Sequence, residues 1–140
     1  MDNKIDRKKV LIVGEYKLAK AIASSLLKRG CSVTVINDDS EECERLAEIK
    51  GLSVIFGNGT RKSVLKDASA ESRDIVIAVT ECDEKNLIIS EICKDEFKVK
   101  RTIALLEDGE KSSFFYKMGV DRIISPLNMV TTIMEEEALK

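Results

Sequence analysis

Four short polar segments carry the residue types that could bind a ligand. The first is Gly14-Glu15-Tyr16-Lys17-Leu18-Ala19, which follows the apolar run VLIV and opens a stretch with helical spacing. That is the position of the phosphate-cradling turn G-x-G-x-x-G. Gly14 supplies the tight turn, and Ala19 stands where close helix–strand packing tolerates a methyl. Tyr16 occupies the second glycine position, where a bare backbone normally lets pyrophosphate approach, and its ring crowds a dinucleotide. Lys17 offers a cation to a phosphate. The second segment, Asn37-Asp38-Asp39, follows SVTVI. A residue there is placed to hydrogen-bond the ribose hydroxyls of an adenosine. Asn37 lacks the charge-assisted strength of an acid, and Asp38 and Asp39 disfavour a 2′-phosphate and hence NADP.

The third segment is Gly57-Asn58-Gly59-Thr60, after LSVIF. Its glycines admit a flat base closely, and Asn58 brings both a donor and an acceptor. The fourth, Thr80-Glu81-Cys82-Asp83, enters a helix with Asn86. Each segment also has a plainer reading. Gly14, Gly57 and Gly59 serve as turn residues, and Asp39 and Ser40 as helix caps. Cys82 is better read as structural than as a nucleophile, since no base stands beside it. The run Glu135–Glu137 fits a solvated helix face.

The elements that must position these segments follow from hydropathy. Apolar, β-branched runs recur at Val10–Val13, Ser32–Ile36, Leu52–Phe56, Ile75–Val79, Thr102–Leu106 and Arg122–Ile124. The run IVIAV is apolar throughout, as in a strand covered on both faces of a parallel sheet. Between the runs, Leu18, Ile22 and Leu26 are spaced for a helix, as are Leu87, Ile88, Glu91 and Ile92. Cys43, Leu46, Ala47 and Lys50 follow the pattern more weakly. Gly30, Gly51 and Gly119 stand where left-handed glycines close helices. Asp39-Ser40-Glu41-Glu42 approximates a capping box, and Ser125-Pro126 places a cap before the only proline. Alternating strands and helices with short connections predict an α/β fold. The expected architecture is a doubly wound, mostly parallel, six-stranded Rossmann-like sheet with helices on both faces. Residues 1–8 are expected as an N-terminal tail, 9–126 as the Rossmann-like domain, and 127–140 as a final helix that packs outside the sheet or against a partner.

Composition narrows the function classes. The chain has 140 residues, 25 acidic and 23 basic, for a net charge of −2. That balance argues against a general nucleic-acid binder. The absence of His removes His-based triads and His-ligated zinc. Cys31, Cys43, Cys82 and Cys93 form no C-x-x-C pair, so no metal site is expected, and a reduced cytosolic protein is the default. No apolar run approaches a bilayer span, and the first residues lack the apolar core of a signal peptide.

In order, VLIVG, TVINDD, VIFGNGT with SVLKDA, DIVIAVTECDEKNL and MGVDRIISP resemble the TrkA-N family, the nucleotide-binding half of RCK (regulator of potassium conductance) domains. The resemblance runs from Lys9 to about Met134. It implies a cytosolic gating subunit rather than an enzyme, with no catalytic residues. It also implies a homodimer or ring, peripheral to the membrane through a potassium transporter or channel partner and without direct membrane insertion. The implied ligand is an adenine nucleotide: AMP, ADP, ATP, NAD or NADH. The family's glycine loop falls on Gly14, Tyr16 and Ala19, with its basic residue on Lys17. Its ribose acid falls on Asn37, and its Gly-Asp-Gly-Thr motif on Gly57, Asn58, Gly59 and Thr60. Its strand-four loop falls on Val79, Thr80 and Glu81. An arginine often found in the fifth strand falls on Leu105. Relatives usually continue into a smaller C-terminal subdomain after a helix that crosses toward a partner subunit.

The departures at Tyr16, Asn37, Asn58 and Leu105 each weaken a phosphate or ribose contact. A charge-assisted hydrogen bond contributes ~1.5–3 kcal/mol, so together they weaken binding and favour a small adenine nucleotide over a dinucleotide. Two other readings stand beside a nucleotide sensor. One is an assembly module that binds no nucleotide, with Tyr16 filling the pocket. The other is a fragment of an NAD-dependent oxidoreductase, which the lack of His and of a following substrate domain disfavours.

Overall fold

The computed structural model describes residues 7–140. Residues 1–6 of the expected tail lie outside the described residues, and Arg7 and Lys8 lead directly into the first strand. The strands are β1 (Lys9–Gly14), β2 (Ser32–Asn37), β3 (Ser53–Phe56), β4 (Ile75–Val79), β5 (Arg101–Leu105) and β6 (Arg122–Ile124). The helices are α1 (Tyr16–Lys28), α2 (Ser40–Leu46), α3 (Lys62–Asp67), α4 (Asp83–Asp95), α5 (Ser112–Lys117) and α6 (Pro126–Ala138). The strands form one sheet in the order β3-β2-β1-β4-β5-β6. Every pairing is parallel, which sharpens the expectation of a mostly parallel sheet.

The central strand shows why its residues are apolar without alternation. Leu11 and Val13 pack on one face with Ile36 of β2 and with Ile89 and Cys93 of α4. Val10 and Ile12 pack on the other with Ala19 and Ala23 of α1 and Leu46 of α2. Helices cover both faces, so a polar residue on either side of β1 would be stranded away from water. A third cluster joins Leu87, Ala104, Leu106, Phe115 and Val120 beside β5.

Local chemistry ends the helices. After α1, Gly30 takes φ +90°, its N–H donates to Leu27 O, and Cys31 N–H donates to Leu26 O. That is a Schellman closure. Gly119 closes α5 in the same way, at φ +102°.

One expectation needs correction, and one helix, found where its spacing predicts, has a partly polar inward face. Gly51, at φ +88°, closes a later turn rather than a helix, because α2 already ends at Leu46. On α4 the inward face is Asn86, Leu87, Ile89, Ser90 and Cys93, while Ile88 is exposed. The two buried polar residues hid that face from a hydropathy count.

Ser125 caps α6 by accepting from Asn128 N–H, with Pro126 at its first position. Every residue from Pro126 to Lys140 is exposed. Among the described residues no helix is long and apolar enough to cross a membrane.

Candidate functional site

Because all strands run the same way, the loops after β1, β2, β3 and β4 leave the sheet at one edge. The chain order reverses between β1 and β4, and ligands of open α/β sheets bind at such a switch point. A cleft of about 680 Å³ lies there, a volume suited to a small organic ligand. Five carboxylates line it, Glu15, Asp38, Asp39, Glu42 and Glu81, against the cations Lys17, Arg45 and Lys85.

Gly14 ends β1 where β4 passes closest. A Cβ there would sit 2.3 Å from Val79 Cγ2 and 2.6 Å from Val79 O. The glycine is therefore demanded by strand packing, whatever a ligand requires. Glu15 then takes an extended backbone and caps α1, its carboxylate accepting from Leu18 N–H. Tyr16 packs partly against the α1-side core, and the Arg45 guanidinium lies over its ring, 4.2 Å from the centroid. Lys17 is exposed on the rim.

Asn37 is 4% exposed, and its amide is already committed. Its Nδ2 donates to Gly14 O (3.1 Å) and to Glu42 Oε1 (2.9 Å), while its Oδ1 accepts from Asp39 N–H (2.8 Å). This residue ties the β1 loop to the first turn of α2. Asp39 caps α2 by accepting from Glu42 N–H at 3.0 Å. The Cys43 thiol donates to Asn37 O at 3.3 Å. Burial first, then the nearby Asp39, Glu42 and Asp38 carboxylates, push that thiol's pKa up and keep it protonated. Asp38 is exposed on the cleft wall.

The β3 loop is held by Asn58 Oδ1, which accepts from Thr60 N–H (2.9 Å) and Thr60 Oγ1–H (2.7 Å). Gly59 is buried, and a Cβ there would lie 2.3 Å from Val13 Cγ1. Across the cleft, fully buried Asn86 organises the β4 loop. Its Oδ1 accepts from Thr80 N–H at 2.9 Å, and its Nδ2 donates to Leu105 O at 2.9 Å. Asp83, in the same segment, accepts from Glu107 N–H and Asp108 N–H instead of facing the cleft.

The cleft thus gathers Gly14, Glu15, Tyr16, Lys17, Asn37, Asp38, Asp39, Gly57, Asn58, Gly59, Thr60, Thr80 and Glu81. Leu18 and Val79 do not line it. Leu18 turns into the α1-side core, and Val79 is buried against Gly14. Leu105 likewise packs into that core. The lining also includes Val13, Ile36, Glu42, Arg45, Cys82, Lys85 and Ile89. Glu42 with Arg45, and Lys85 with Ile89, are three and four residues apart on α2 and α4. The i, i+3 and i, i+4 spacing from the starts of α2 and α4 at the cleft edge was the signal for them. Chemically the arrangement is a polar binding cleft. At the start of α1, the Leu18 N–H is taken by the protein's own Glu15 carboxylate.

A switch-point cleft on a six-stranded parallel sheet of this order defines a Rossmann-type domain. The sequence matches the TrkA-N domain over residues 10–126, and the chain belongs to that family. It is 31% identical over 127 residues to a Trk system potassium uptake protein TrkA homolog of Methanothermobacter thermautotrophicus, covering 91% of this chain and 58% of the relative. It is 29% identical to the Trk system potassium uptake protein TrkA of Haemophilus influenzae, covering 88% of this chain and 28% of the relative. The chain therefore spans between about a quarter and three fifths of the curated relatives it matches.

Solved structures share the fold. The TrkA-N domain of the inner membrane protein ybaL from Escherichia coli superposes with a TM-score of 0.85 at 16% identity, covering 94% of this chain and 96% of that one. The Shewanella denitrificans Kef CTD in its AMP-bound form gives 0.80 at 18% identity, covering 94% and 79%. The GsuK channel bound to NAD gives 0.76 at 20%, covering 89% and 22%.

Proposed function

We propose that this chain is a cytoplasmic regulatory domain of a potassium uptake system. An adenine nucleotide in the switch-point cleft biases the state of a membrane transporter or channel partner. The observation that carries this reading is the convergence of four loops, each with residues expected from sequence, on one cleft of ligand size. Relatives named for potassium uptake, and structural neighbours described as bound to AMP or NAD, support it. Asp38, Asn58 and Thr60 would face the ribose and base, while Lys17 and Lys85 offer charge to a phosphate. Such a ligand acts by binding one assembly geometry more tightly than another. The unpartnered α6 is the element we assign to contact with a second copy.

The test is a thermal-shift titration with AMP, ADP, ATP, NAD and NADH from micromolar to millimolar. A ligand at 100 times its dissociation constant stabilises by ~2.7 kcal/mol, which moves the midpoint by several degrees. A concentration-dependent shift with any of them supports the sensor.

A second reading has its own observation. Asn37 spends both amide hydrogens within the protein, and Tyr16 is clamped by Arg45. That suits a module that assembles without nucleotide. No shift with any of the five, together with retained self-association, would favour it.

A further inference from the structure

We infer that Glu15 is a charge filter: its carboxylate holds the phosphate seat at the start of α1, so the cleft takes adenosine-type ligands the more readily the fewer phosphates they carry. The inference rests on the nucleotide reading above and names which ligands of that class the site selects.

Free N–H groups and the positive end of a helix normally make the turn after β1 receptive to phosphate. Here α1 has 13 residues, and the Leu18 N–H of its first turn is already taken by an anion, the Glu15 carboxylate. Glutamate is not among the favoured N-caps, which are Asn, Asp, Ser and Thr. Capping alone therefore does not explain it. The surroundings reinforce the charge. Asp38, Asp39, Glu42 and Glu81 line the same cleft and, with Glu15, outnumber its cations Lys17, Lys85 and Arg45, the last of which lies over the Tyr16 ring. Tyr16 also stands where a bare backbone would otherwise meet a pyrophosphate. A phosphate entering this turn would have to displace a carboxylate of like charge in a partly enclosed space, where repulsion is less screened than in bulk water. An uncharged ribose and base resting on the Asp38 and Asn58 side meet no such barrier.

The test compares the wild-type chain with Glu15→Gln and Glu15→Ser. Both variants keep an oxygen able to cap α1, and melting curves confirm that they fold. Adenosine, AMP, ADP and NAD are titrated by calorimetry, with NMR chemical-shift mapping for weak binders. For Glu15→Gln we expect ADP and NAD to bind about tenfold tighter, AMP to gain less, and adenosine to be unchanged. The gap between wild type and Glu15→Gln in ADP affinity should narrow as salt rises, which a purely structural effect would not do. Adenosine binding with no charge-dependent gain in Glu15→Gln overturns the filter alone. If neither adenosine nor any nucleotide binds either protein at millimolar concentration, the nucleotide reading fails and the filter falls with it.

Discussion

Gly14 and Asn86 stand on opposite sides of the cleft, and both are fixed by contacts with neighbouring strands. Gly14→Ala would drive a methyl into Val79 backbone and side chain at 2.3–2.8 Å. Overpacking of this kind costs about 1–3 kcal/mol, and the rigid β4 carbonyl places the effect at the upper end. Chemical denaturation of the variant should show it even without ligand. Asn86→Ala would leave Thr80 N–H and Leu105 O without their partner in a part-buried site. The expected loss is about 1–3 kcal/mol, read in the same experiment, since groups left unsatisfied away from water are more expensive than the bond they lose. Gly14 was legible in the sequence, although through a phosphate-loop pattern rather than through its true neighbour. The commitment of Asn37 was not legible. Its partners Gly14 O and Glu42 Oε1 come together only when β1, β2 and α2 are assembled.

Among elements, α2 and the α4–β5 corner make separate claims. Asp39 caps α2, so Asp39→Ala should cost about 1 kcal/mol, measurable as a lowered melting temperature. At the opposite end of the sheet, Asp121 joins Lys94 of α4 (2.6 Å) to Thr102 N–H of β5 (2.8 Å). Partial burial works against the Asp121 anion, but the Lys94 ammonium and the Thr102 N–H outweigh it and hold its pKa below the ordinary 3.8. A depressed folded-state pKa gives stability that is present above 3.8 and lost as pH falls through the lower, folded value. The melting-temperature advantage of wild type over Asp121→Asn should therefore be flat near neutrality and shrink only in acid below 3.8.

Strand positions were readable to within a residue, because parallel strands covered on both faces need unbroken apolar runs. Helix faces were harder. α4 turns Asn86 and Ser90 inward, where each has hydrogen-bond partners that hydropathy cannot count.

Over the whole molecule, the strand–helix rhythm was enough to foresee the architecture, and parallel pairing throughout follows from the short crossovers. Among the described residues, α6 buries no side chain. Leu127, Val130, Ile133 and Met134 lie at helical spacing and are each more than half exposed. A helix so apolar and so unburied is expected to meet a second copy. On the proposed contact with a second copy, replacing Val130 and Ile133 together by Asp should weaken the protein's self-association in analytical ultracentrifugation. Its melting curve should hardly change at low protein concentration, since neither side chain is buried in the single chain.

The attachment of α6 has a mechanical side as well. Its contacts with the body gather at its first turn: the Ser125 cap, Pro126, and Asn128 lying so close to Gly109 that a Cβ there would meet Asn128 Nδ2 at 2.6 Å. Thirteen helical residues extend about 20 Å from that pivot. A tilt of about 10° at the pivot would sweep the far end through about 3 Å, roughly the rise of two helical residues. A small angular change at the Ser125–Asn128 corner would thus be magnified along α6 into a displacement comparable to the width of a side chain.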